Sequence, residues 1–411
     1  MQRTQFPSFV RQSLTILALT TTLIAAAWAQ PKFKILHTVP GGLFGGLTFD
    51  AKGNLYGGTG GGGDHNDGTI FELTPGAHGW TLTTLHSFDG YDGGSPNGGL
   101  IFDAAGNLYG TSPSGGTYGG GNVFELTPGA DSWTFNDLYD FCPQYHCPDG
   151  SAPSGGLVMD RTGNLYGLAA GGGIYSEGIA FELVPGTGAD GWSERVLYAF
   201  AGTKTGFDPS GPLIFDGAGD LFGTTALGGK TSSSCYEGCG TVFRLRRNSG
   251  GGRREGILFS FDSSDGLDPY SGVVSDSSGR FYGTTNQGGS GTCGETTCGV
   301  VFRLTKGSDG RWGETMLYDF PDPADGSNPT SGVIFEKAGN LYGTAGGGSS
   351  SCSGGCGVVY RLSPTANGKW RYTVLHKFTG QDGGYPGGGV VLDTKGKIYG
   401  TAYDVVYEIT P

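Results

Sequence analysis

Short runs of alternating apolar and polar residues, separated by glycine-rich turns, fill the chain from about residue 30 onward. Gly98–Asp103 (GGLIFD) is followed, after Ala104-Ala105-Gly106, by Asn107–Ser112 (NLYGTS). A Gly-rich loop leads to Asn122–Pro128 (NVFELTP), and Gly129-Ala130-Asp131-Ser132 leads to Trp133–Phe141 (WTFNDLYDF). Val123, Phe124, Glu125 and Leu126 carry strand periodicity, and no run repeats at the helical period. Four such runs joined by turn residues predict four short antiparallel strands.

The unit recurs. "GNLYGT" stands at Gly106–Thr111 and Gly339–Thr344, with looser copies beginning at Gly53, Gly163, Gly219, Gly279 and Gly396. Successive copies lie 53, 57, 56, 60, 60 and 57 residues apart. A four-stranded antiparallel unit repeated at that interval describes the blade of a β-propeller. The seventh unit has three runs, Gly389–Asp393, Lys397–Thr401 and Val405–Thr410, and lacks the fourth. A run of the missing type, Phe33–Val39 (FKILHTV), precedes the first complete unit. The expected fold is therefore all-β. It is one seven-bladed propeller over residues 30–411 with four antiparallel strands per blade, closed by the N-terminal strand completing the last blade.

The repeated residues have structural roles. The first Gly of the phrase permits the positive backbone angle of a tight turn, which Asn also favours. Tyr56, Tyr109, Tyr166, Phe222, Tyr282, Tyr342 and Tyr399 are expected to pack between neighbouring blades, with Trp80, Trp133, Trp192, Trp312 and Trp370 anchoring the fourth strands. His37, His86 and His376 share a slot with Tyr139, Tyr198, Phe259 and Tyr318, so the slot selects a flat aromatic body rather than imidazole chemistry. Asp50, Asp103, Asp160, Asp216, Asp276, Glu336 and Asp393 end every first strand and read as turn caps.

Composition changes the picture at three points. The 84 Gly without a collagen triplet are turns between aromatic-rich strands. Residues 1–29 combine Arg3 and Arg11, an apolar stretch from Leu14 to Ala27 and the ending Ala27-Trp28-Ala29, which predicts a secretory signal peptide and export. Its removal takes two Arg and no acid from 25 Lys and Arg against 37 Asp and Glu, leaving a net charge of −14. That balance repels phosphate backbones, so nucleic acid is not an expected partner. The basic stretch Arg244–Glu255 reads as a solvated turn. No later segment is apolar enough to span a bilayer. The eight Cys fall into local pairs, Cys142/Cys147, Cys235/Cys239, Cys293/Cys298 and Cys352/Cys356, which in an exported chain point to disulfides pinning loops. Zinc is the alternative, and it would need pairs from different repeats to converge with closer spacing.

The two halves of the unit, P-x-G-G-L-I-F-D-x-x-G-N-L-Y-G-T and G-x-V-F-E-L-T-P, resemble the Gloeobacter/Verrucomicrobia-type tandem repeat of bacterial exported proteins. The resemblance covers essentially the whole chain after the leader, and implies an extracellular or cell-surface protein of undefined biochemical function. The family's variable C-terminal anchors have no counterpart after Pro411, so free secretion is expected over surface attachment. The D-x-x-G-N-L-Y core also resembles NHL and lactonase-type propellers more distantly.

Candidate chemistry is sparse. Asp92, Asp149, Asp265, Asp325 and Asp382 each precede a Gly before the first strand of a blade, and would either form an acidic rim at the channel mouth or serve as turn residues. Asn97, Ser154, Ser210, Tyr270, Thr330 and Gly387 occupy a variable mouth position, of which Tyr270 is the bulkiest. His65, beside Asp64 and Asp67, and His146 each stand in a single loop, whereas a metal site draws ligands from several elements. No nucleophile-elbow, zincin or phosphate-loop motif occurs. The expected function is a secreted, monomeric, non-enzymatic scaffold without a cofactor, binding a glycan, a surface polymer or another exported protein. The alternative is an exported hydrolase or lyase of lactonase-like type, with a divalent cation held by acids at the mouth.

Overall fold

The computed structural model describes residues 30–411, apart from 44, 187–190, 249–251, 294–295, 349–351 and 353–354. The predicted signal peptide, residues 1–29, lies outside the described residues. Pro31–Pro411 form one compact unit of seven antiparallel sheets. Blade 2 comprises Ile101–Phe102, Leu108–Ser112, Asn122–Pro128 and Trp133–Asp140, paired in chain order, and five other blades repeat that order.

Blade 7 closes the ring. Its innermost strand, Val390–Leu392, pairs with the start of Ile398–Thr410, and Lys32–Leu43 pairs with the end of that element, from Lys32↔Thr410 to Thr38↔Val405. Ile398–Thr410 is itself doubled back. A Cβ built on Gly400 would fall against the Tyr407 hydroxyl, although seven extended residues reach about 23 Å. The reversal is at Tyr403, whose φ is +50°. Blade 7 therefore has four strands like the rest, and the N-terminal strand is its outermost.

Two features of the strands depart from the simple reading. The first run is one continuous strand only in blades 3 and 4, at Ser151–Met159 and Phe207–Phe215; in blade 2 it pairs at Ile101–Phe102 and again at Gly94 opposite Ser114, with Gly98 and Gly99 between them lining the axis. Every outer strand is also bulged, as between Ile70 and Phe71 against Thr84 and His86. The extra residue is the Leu before the aromatic slot, such as Leu197, which the bulge lets bury alongside its neighbours.

The core lies in the seams between blades. Tyr109 of blade 2 clusters with Leu157, Leu165, Ile179 and Phe181 of blade 3. The phrase tyrosine meets the next blade's tryptophan, as in Tyr56–Trp133, Tyr109–Trp192 and Tyr282–Trp370. Blade 4 has no Trp, and the Arg253 guanidinium takes its place 5.5 Å from the Tyr166 ring. The flat slot holds as expected: His86 stacks on Phe135 at 4.0 Å, Tyr318 on Tyr372 at 4.1 Å, and His376 on Phe33 at 3.7 Å across the closing seam.

The second Gly of the phrase has a packing role of its own. The third-strand aromatic lies flat against it, so a Cβ on Gly223 would stand 2.7 Å from Phe243 Cζ and 2.9 Å from Leu213 Cδ2. The first Gly turns the chain, with φ of +89° at Gly53 and +92° at Gly106.

Candidate functional site

The ends of the strands divide the polar residues between two faces. On the side of the turns between first and second strands, each blade holds a compact network. In blade 1, Asp50 Oδ1 accepts from the backbone N–H of Lys52 and Asn54 at 2.9 and 2.8 Å, and the Tyr56 hydroxyl donates to Glu72 at 2.7 Å. Asn54 Nδ2 bridges Asp50 and Glu72. Burial, then the Glu72 bond, pushes the Tyr56 hydroxyl far up, so it stays a donor. Blades 2 and 3 repeat this set, whereas later blades exchange its members by charge. Asp220 pairs with Arg244 in blade 4, Arg280 with Asp276 in blade 5, and Lys397 with Glu408 in blade 7. The network is satisfied internally and serves the turns.

On the axis, the first strands of the blades enclose a cavity of about 520 Å³. Its described lining is main chain of Gly98, Gly155, Gly211, Gly272 and their counterparts, small hydroxyl side chains, Asn97, a few aliphatics, the exposed Tyr270 and the buried Tyr282. Neighbouring backbones touch there. A Cβ on Gly272 would stand 2.6 Å from the Pro212 carbonyl, and one on Gly98 3.1 Å from that of Gly155. Hydroxyls tie adjacent blades together: Ser154 donates to the Pro209 carbonyl at 3.2 Å, Thr330 to Pro386 at 2.7 Å, and Thr284 to Ser331 at 2.9 Å. The described lining carries no charged side chain.

The mouth is asymmetric. Ser95, Ala152, Asp208, Asp268, Asn328 and Tyr385 each precede a proline and adopt φ between +49° and +58°. Such a left-handed residue costs about 1 kcal/mol or more outside Gly, and here it recurs in six blades. Two adjacent blades place acids at this position, flanking the lining residues Ser210 and Tyr270. Burial, then the charge of Asp208, pushes the Asp268 carboxyl up to about 6; burial raises Asp208 as well. Tyr270, 46% exposed, is pushed up by burial and by both carboxylates. Sequence reasoning found Tyr270 and passed over Asp208 and Asp268. The signal was available: only units four and five have Asp-Pro before the mouth residue.

The five recurrent acids Asp92, Asp149, Asp265, Asp325 and Asp382, expected as a rim or as turn residues, lie in the connections that follow the fourth strands. None lines the cavity. Asp92 accepts from His86 Nε2 at 2.8 Å and from the Asp89 N–H, Asp149 from the Tyr139 hydroxyl at 2.8 Å, and Asp382 from His376 Nε2 at 2.9 Å and from Thr379. Asp265 accepts from the Asp262 N–H, and exposed Asp325 pairs with Lys377 at 3.3 Å. The Gly after each has positive φ, from +98° at Gly150 to +150° at Gly266. Asp92, Asp149 and Asp382 thus tie the fourth-strand slot to the turn that follows it, whereas Asp265 and Asp325 bond to Asp262 and Lys377 rather than to their slot residues. Three seams add a second acid where other blades carry Leu82, Phe135 or Tyr372: Glu194, Glu255 and Glu314. Burial raises Glu194 to about 8, helped by the Asp149 charge, and Glu255 and Glu314 to about 7.

The four expected disulfides form, Cys142–Cys147, Cys235–Cys239, Cys293–Cys298 and Cys352–Cys356. Among the described residues no three His, Cys, Asp or Glu side chains gather as a metal-ligand set. In the basic stretch, Arg253 donates to the Gly219 and Leu245 carbonyls and is committed to the fold.

Among solved structures, the extracellular domain of a putative hybrid two-component system from B. thetaiotaomicron superposes with a TM-score of 0.57 at 12% identity, over 93% of this chain and 42% of that one. This chain thus spans less than half the length of that protein. A putative 6-phosphogluconolactonase from Bacteroides uniformis gives 0.48 at 13% identity, over 80% of this chain and 83% of that one. A putative oxidoreductase (glucose dehydrogenase) from a Thermus species gives 0.44 at 15%, over 92% and 100%. Likeness at these identities concerns the fold alone. None of the curated proteins matches the chain. The Gloeobacter/Verrucomicrobia repeat matches twice, over residues 29–203 and 144–296, and so takes in the greater part of the blades. With the blade phrases accounted for as turn, seam and axis, the chain belongs to the Gloeobacter/Verrucomicrobia repeat family.

Proposed function

We propose that this protein is an exported, non-enzymatic binding scaffold that takes an uncharged, hydroxyl-rich ligand, such as the end of a glycan, at the channel mouth. The observation that supports this most is the cavity on the axis, about 520 Å³, with main-chain and small hydroxyl groups on its wall and the half-exposed ring of Tyr270 beside them. Such a wall offers hydrogen bonds without charge, and a ring gives a sugar face a platform. Asp208 and Asp268 supply acceptors for ligand hydroxyls on one side only, which would fix the ligand's orientation. Export agrees with four disulfides and with the leader-like residues 1–29. No described helix is long and apolar enough to cross a membrane.

The test is a glycan array on the protein lacking residues 1–29, followed by calorimetry with Tyr270→Ala. Binding should fall about tenfold or more in the variant, the loss of one buried aromatic contact of roughly 1.5 kcal/mol. Turnover of a lactone or polysaccharide, with no glycan retained, would replace this reading with the hydrolase alternative.

A further inference from the structure

On the side where second strands join third strands and fourth strands lead to the next blade, six tyrosines are more than half exposed: Tyr91, Tyr118, Tyr145, Tyr175, Tyr236 and Tyr403. The opposite side has no large apolar residue so exposed among the described residues. A one-sided set of exposed aromatic rings on a folded disc is a mark of an interaction surface. All four disulfides pin loops on that same side. Charge identifies the occupant. Between the strand limits, the connections on this side hold thirteen described Asp and Glu against two lysines, Lys204 and Lys230. Those on the opposite side hold ten acids and eight Lys or Arg.

We propose that the tyrosine-bearing loop face docks a cationic polypeptide, a lysine- and arginine-rich segment of another exported protein, whose guanidinium and ammonium groups sit over the exposed rings among the acids. Arginine satisfies both features at once, stacking on tyrosine and pairing with carboxylate. The proposal rests on the reading of the protein as a binding scaffold, and the tyrosines that test it, Tyr91, Tyr145 and Tyr236, stand outside the cavity lining.

The probe is a labelled nona-arginine peptide, measured by fluorescence anisotropy against the protein lacking residues 1–29 at 50 and 300 mM salt. A triple variant, Tyr91→Ser, Tyr145→Ser and Tyr236→Ser, removes three rings that are 82%, 89% and 82% exposed, and so leaves the fold intact. The expected result is binding weakened by salt and about tenfold weaker in the triple variant, with hydrogen-exchange protection confined to the loop face. Binding equal in the triple variant would show simple attraction to an acidic protein and overturn the proposal, as would protection on the opposite face or no binding at 50 mM salt. Loss of glycan capture in the triple variant with peptide binding intact would make this face a glycan surface instead, and the proposal would fall. Loss of glycan capture in Tyr270→Ala bears only on the channel mouth.

Discussion

Replacing Gly223 by Ala isolates the role of the second Gly in the blade phrase. The added methyl would stand 2.7 Å from Phe243 Cζ and 2.9 Å from Leu213 Cδ2, against an ordinary contact of about 3.4 Å or more. Both neighbours are fully buried, so neither ring nor methyl can swing into solvent. Overpacking of this kind costs about 1–3 kcal/mol, and the reduced freedom of Ala in the unfolded chain returns about 0.4–1 kcal/mol. A net loss of about 1–2 kcal/mol is expected, read as a lowered urea midpoint at unchanged slope. Gly256, in the same blade, is the control, because a Cβ there meets nothing within 4 Å; Gly256→Ala should be neutral or slightly stabilising. Phe243→Leu withdraws the far end of the ring, so the double variant Gly223→Ala/Phe243→Leu should lose less than the two single losses combined, by 0.5 kcal/mol or more. A Gly223→Ala midpoint indistinguishable from wild type, or strictly additive losses, would refute the packing account.

The raised carboxyls of Glu194, Glu255 and Glu314 make stability fall as pH rises. The folded chain holds these protons up to about 8, 7 and 7, whereas the unfolded chain releases them near 4.5. Urea midpoints should therefore decline between about pH 4.5 and 8, and Glu194→Gln should flatten the upper part of that decline; a midpoint that climbs across this window would contradict the burial of these groups. Phe33→Ala removes the ring that stacks on His376 and touches Phe378 and Tyr407, and should cost about 2–3 kcal/mol, less than the full value for a buried Phe because Phe33 is only half-buried. Hydrogen exchange should accelerate first in Val405–Thr410, and uniform acceleration over all seven blades would argue against a local closing seam.

The architecture was legible because it is written seven times. A missing fourth run at one end and a spare one at the other locate the closing blade without any structure, and the pairing of Lys32 with Thr410 follows. The aromatic slot was legible for the same reason, since His, Tyr and Phe alternate in it and only a flat body is common to them. Repetition also hid things. The two Gly residues of the phrase look alike in sequence, yet Gly53 turns the chain and Gly57 makes room for Phe71. Recurrence alone leaves Asp92 and its counterparts open as a rim or as turn residues; the bonds of Asp92 and Asp149 to the fourth strand depend on the bulge that presents His86 and Tyr139 to them, and a bulge has no sequence signature of its own. Asp208 and Asp268 break the pattern in two blades, which is where a binding asymmetry belongs, and a search for recurring residues passes over them.

The pairing of Lys32–Leu43 with the strand ending at Thr410 sets the order of assembly. Whether the chain leaves a ribosome or threads an export pore amino end first, that leading ribbon waits through the delivery of six whole sheets before its mate emerges. Until then both free margins of the unfinished disc are open to stray β-pairing, with another copy or with each other's neighbours. Completion is then a single late latch, and cells that make this protein gain from keeping its first dozen structured residues out of premature partnerships.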